Sequence, residues 1–91
     1  MTMTKHAQAR AQQRAIPPFI VDLLLAFGVE AHHRGAEVLY FDKQARRRLR
    51  HHLGDRILQA IGDQMLDTYA VVGEGGHVVT VAHRTRRLKR S

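Results

Sequence analysis

Histidine can move a proton, arginine and lysine can hold an anion, and the spacing of these side chains decides which chemistry is open. Seven histidines stand at 6, 32, 33, 51, 52, 77 and 83. No two of them form a His-x3-His or His-Glu-x-x-His pair, and the chain has no cysteine with which to complete a tetrahedral set. Neighbours such as His32-His33 and His51-His52 diverge on a strand or helix and do not aim at one ion. Neither a metal centre nor any other cofactor is therefore expected. The absence of cysteine also excludes a disulfide scaffold and a thiolate nucleophile. A serine–histidine couple has no candidate, because Ser91 is the sole serine. Gly73-Glu74-Gly75-Gly76 lacks a Lys-Ser/Thr pair and precedes no helix, so it reads as a turn and not as a phosphate cradle.

The cations carry more information. Fifteen Lys and Arg against eight Asp and Glu leave +7 on 91 residues. All but Arg34 and Arg56 lie in three blocks that contain no acid. Lys5, Arg10 and Arg14 occupy the first, Lys43, Arg46, Arg47, Arg48 and Arg50 the second, and Arg84, Arg86, Arg87, Lys89 and Arg90 the third. Segregation of this kind is the footprint of polyanion binding, since each cation seated on a phosphate releases counterions. An apolar content of 44% is too high for a disordered chain. The longest apolar stretch, 19–29, is about half of the ~20 residues a membrane span needs and contains Asp22. With no convincing targeting segment, a cytoplasmic protein is expected.

Positioning these groups requires a folded frame. The expected organisation is a flexible basic arm over 1–15, a single α+β domain over 16–84 and a basic tail over 85–91. A first helix is predicted over 18–27, opened by Pro17-Pro18 and closed by Gly28. Only Asp22 is polar on it, so Phe19, Leu23, Leu24 and Phe27 are candidates to meet a second copy or another protein. A loop over 29–36 and a strand over 37–41 follow. Asp42 reads as the N-cap of a helix over 43–53 that Gly54 ends. On that helix Ala45, Leu49 and Leu53 form a narrow apolar stripe, while Lys43, Arg46, Arg47 and Arg50 form an adjoining cationic ridge. Asp55 is expected to cap a further helix over 56–66, and strands over 69–72 and 77–83 flank the glycine turn. The fold class is thus α+β, with helices packed on a small, mainly antiparallel sheet and the order helix-strand-helix-helix-strand-strand.

Two helices meeting near Gly54 suggest a helix-turn-helix, but the first helix carries Lys43, Arg46, Arg47, Arg48 and Arg50, while the second, which would enter the major groove, offers Arg56 and Gln59 among Asp55 and Asp63. The closing hairpin is more telling. Tyr69-Ala70-Val71-Val72, a glycine turn and Val78-Val79-Thr80-Val81-Ala82-His83-Arg84 resemble the last hairpin of RelE/ParE-type toxins, and the resemblance extends over 37–88. It implies an RNA-directed activity with His83 and Arg84 as catalytic residues, the histidine moving a proton and the arginines stabilising charge on phosphorus. The position a few residues on, a tyrosine in RNA-cleaving members, is Leu88. Three functions are expected from these features. The first is non-catalytic nucleic-acid binding, RNA slightly before DNA, through Lys43, Arg46, Arg47, Arg50, Arg84, Arg86, Arg87, Lys89 and Arg90. The others are a toxin-like ribonuclease and a protein-interaction module built on the apolar helix.

Overall fold

The computed structural model describes residues 3–33 and 35–84. Among these residues five α-helices and four strands appear in the order α1 (Lys5–Gln13), α2 (Pro18–Phe27), β1 (Val29–His33), β2 (Ala36–Tyr40), α3 (Lys43–Leu53), α4 (Asp55–Ile61), α5 (Asp63–Leu66), β3 (Thr68–Val72) and β4 (Val78–His83), with a 3-10 turn over Glu74–Gly76 between the last two strands. The strands form one antiparallel meander in the order β1-β2-β3-β4. This is the α+β class with helices on an antiparallel sheet.

The row Leu39, Ala70, Val81 runs across β2, β3 and β4 and belongs to the buried core, together with Ala7, Ala11, Ile20, Leu24, Leu49, Leu58 and Leu66 from the five helices. The helices therefore lie over that face of the sheet. The adjacent rows, Val38-Val71-Thr80 and Tyr40-Tyr69-Ala82, alternate onto the other face. Among the described residues no helix is long and apolar enough to cross a membrane.

The stretch expected as a flexible arm is instead a packed helix. Thr4 caps α1 by accepting a hydrogen bond from the Ala7 amide at 3.1 Å, and the Ala, Gln, Arg and Lys that follow are strong helix formers. Ala7 and Ala11 fall on one face, and their small side chains let the helix lie close against β4. Ala15 (φ 56°) closes the helix in the left-handed region, with Ile16 donating its amide to the Ala11 carbonyl and burying its side chain. Periodicity missed α1 because its buried face is alanine, which composition does not mark as core.

The segment 29–36 is not a loop. Gly35 (φ 79°) permits a reversal tight enough for β1 to pair with β2 from Val29↔Tyr40 to His33↔Ala36, and that pairing overrides the weak strand preference of Glu, Ala and His. Nor does one helix span 56–66. Gly62 (φ 86°) ends α4 and starts α5, and Gly54, not Asp55, occupies the N-cap position of α4. Helices α2 and α3 have the expected bounds, and Asp42 caps α3 with Oδ1 2.8 Å from the Ala45 amide.

The apolar helix α2 is consumed by its own domain. Leu23 and Leu24 are buried and Phe27 is half-buried against the His52 ring at 5.0 Å, which leaves Phe19 as the exposed member of the expected contact surface.

Two outcomes check the account of α1. Ala7→Leu should destabilise the protein by about 1–3 kcal/mol in urea unfolding, because a helix packed on β4 has no space for three more carbons whereas a loose arm would tolerate them. Ala15→Gly should stabilise by about 0.5–1 kcal/mol, since glycine reaches the left-handed conformation without the Cβ clash.

Candidate nucleic-acid interface

The ridge on α3 divides by partner. Lys43 and Arg47 project into solvent. Arg46 turns inward, its Nη2 donating to Asp67 Oδ1 at 2.7 Å and to the Leu66 carbonyl at 3.1 Å, and so ties α3 to the end of α5. Arg50 Nε meets Asp55 Oδ1 at 3.1 Å, but both side chains are largely exposed and the pair is weak. Across the apolar stripe, Arg48 donates to the Phe27 carbonyl at 3.4 Å.

Asp67 links this helix to the third cationic block, because its carbonyl accepts the Arg84 amide while its carboxylate holds Arg46. The first block arrives from the opposite side. Arg14 Nη1 donates to the Val81 carbonyl at 2.8 Å, and the Arg14 carbonyl lies 3.2 Å from His83 Nε2. A carbonyl can only accept, so this contact places the imidazole proton on Nε2. Three stretches that are far apart in the sequence thus converge where β3 begins and β4 ends.

His83 and Arg84 are neighbours in sequence but not in space. His83 pairs with buried Thr68 and turns toward the helices, whereas Arg84 turns to the other face and stacks over Tyr40, its guanidinium carbon 4.7 Å from the ring centroid. Tyr69 is the register partner of Tyr40, which places two half-buried aromatics beside Arg84. His83 Nδ1, Arg84 Nε and Thr68 Oγ1 are buried and have no hydrogen-bond partner among the described residues. The joint proton-transfer and charge-stabilising role expected of His83 and Arg84 is therefore not assembled: the histidine has one nitrogen on a carbonyl and the other buried, with the arginine on the far side of the sheet. Arg86, Arg87, Lys89 and Arg90 lie outside the described residues.

Several arginines of the described residues are held by neutral groups. Arg14 and Arg48 use backbone carbonyls, and Arg10 uses His6 Nε2 at 3.3 Å and Gln13 Oε1 at 3.4 Å. A carbonyl holds a guanidinium in place without cancelling its charge. Among the described residues, Asp67 and Asp55 alone supply counter-charge at the ion pairs of the ridge. Sequence reasoning missed Arg14 and Asp67 as members of the corner, because nothing in the local pattern signals a contact between residues 14 and 81.

No family model, curated protein or solved structure matches the chain. The corner is accordingly defined by its own geometry.

Asp67→Asn should lower stability by about 0.5–1 kcal/mol, a modest figure because Arg46 and Asp67 keep 30% and 47% of their side-chain surface in water. A double-mutant cycle with Arg46→Met checks it, and the coupling should shrink as salt is added.

Proposed function

We propose that this protein binds nucleic acid in the cytoplasm, RNA in preference to DNA, and holds its phosphates without cleaving them. The observation that carries the reading is the convergence of Arg14, the α3 ridge and Arg84 on one corner, where a backbone carbonyl orients the Arg14 guanidinium, Arg46 is shared between the Leu66 carbonyl and Asp67, and Arg84 lies over Tyr40. Lys43 and Arg47 are the exposed cations best placed to meet phosphates. In the sequence the third block continues past Arg84 with Arg86, Arg87, Lys89 and Arg90.

The preference for RNA rests on two features. Cationic α3 is followed by α4 of only seven residues, so the helix pair offers no second helix to read a DNA major groove. Tyr40, Tyr69 and the Arg84 guanidinium supply planar groups of the kind on which unstacked bases rest. Cleavage does not form part of the proposal, because neither His83 nitrogen is free to exchange a proton with a substrate.

Fluorescence anisotropy with single-stranded RNA and duplex DNA of equal length tests the reading. Affinity should fall steeply between low and moderate salt. Lys43→Ala combined with Arg47→Ala should reduce the slope of log affinity against log salt by about 1.4, at ~0.7 per lost phosphate contact on a single strand. Tyr40→Leu should weaken single-stranded RNA more than the duplex. An affinity that does not change with salt would overturn the proposal.

A further inference from the structure

The two edges of the sheet are treated differently. Along β4 the outer edge is covered: Met3 bridges Val78, the Thr4 amide donates to the Val78 carbonyl at 2.9 Å, and Arg14 donates to the Val81 carbonyl at 2.8 Å. Along β1 no described residue pairs with the outer edge, and alternate backbone amides and carbonyls point outward. β1 reads Val-Glu-Ala-His-His; of the usual guards against strand addition it has its short length and the charge of Glu30, but no proline, no lysine and no bulge.

The side chains of β1 make this edge complementary to itself. Two antiparallel copies related by a two-fold axis through the sheet pair residues of the same face, so the axis must pass through one residue of the strand. Centred on Glu30, the pairing sets carboxylate against carboxylate; centred on His32, imidazole against imidazole. Centred on Ala31, it sets Glu30 against His32 of the second copy twice, Val29 against His33 twice, and keeps all five residues paired. Glu30 and His32 are both exposed on one face. Within each copy His32 also stands opposite Glu37 and Glu30 opposite Leu39 on β2, so each histidine at the join has a carboxylate on both sides.

We infer that β1 is a homodimer edge, on which a second copy of this chain adds antiparallel about Ala31 to make a continuous sheet of both copies' strands. The join involves neither α2 nor the basic corner, so it stands or falls independently of nucleic-acid binding. Five residues a side make a small interface, and the dimer is a reversible one that forms at high protein concentration.

Sedimentation velocity of the full chain over a dilution series tests the inference, using two charge variants. In Glu30→Lys, the introduced ammonium opposes His32 of the second copy; in His32→Glu, the introduced carboxylate opposes Glu30. Each variant alone should weaken the dimer at least about tenfold. Mixed one to one, they set the new ammonium of one variant against the new carboxylate of the other, with the native His32 and Glu30 still facing each other. The mixture should recover the wild-type dissociation constant within about threefold. Recovery on mixing also shows that both variants are folded. A wild-type chain that stays monomeric up to millimolar concentration would overturn the inference, as would a dimer indifferent to both variants or variants that weaken it but fail to complement each other.

Discussion

Holding a cation with a neutral acceptor is the interaction on which the character of this domain depends. A guanidinium paired to a carboxylate is fixed and neutralised together, whereas one bonded to a carbonyl is fixed and remains a charge. Arg14 on Val81 and Arg48 on Phe27 are of the second kind, and Arg46 is shared between the Leu66 carbonyl and Asp67. The same bonds also attach elements to one another: α1 to β4, α3 to the end of α2 and α3 to the end of α5. Structural cohesion and surface potential thus come from the same side chains, and removing one of these arginines would affect both.

Much of the frame was legible in the sequence, for identifiable reasons. Helices α2 and α3 carry strong punctuation, with Pro17-Pro18 and Gly28 at the ends of one and Asp42 and Gly54 at the ends of the other, and their bounds follow from local chemistry. The closing hairpin follows from valine-rich strands around a glycine turn, in which the amide of Gly73 meets the carbonyl of His77 and one extra residue, Val79, bulges from β4. What was not legible depended on tertiary context. α1 hides its core face in two alanines, and β1 is a strand because β2 is beside it. Gly62 lies inside the helix expected over 56–66, and its positive φ makes it a break there.

For the candidate site, the cations themselves were plain from composition, but their division into oriented, neutralised and exposed groups was not. Spacing on α3 set Arg46 and Arg50 in the same ridge as Lys43 and Arg47, yet the two former are paired to carboxylates and the two latter project into solvent. Adjacent positions suggested that His83 and Arg84 act together. The two-residue period of a strand separates them, a consequence that follows as soon as β4 is known to run through His83.

The packing of the first helix on the last strand has a consequence for how the chain is made. Arg14 finds its acceptor 67 positions downstream, and Thr4 finds its own at Val78. During synthesis α1 leaves the ribosome with its alanine face uncovered, and β4, the surface it needs, follows only after every other element of the domain. Short alanine-rich helices are marginal in water, so α1 would remain frayed until then. Completion of this fold therefore waits for β4, its final step closes the longest loop in the domain, and the basic corner comes into existence only with that closure.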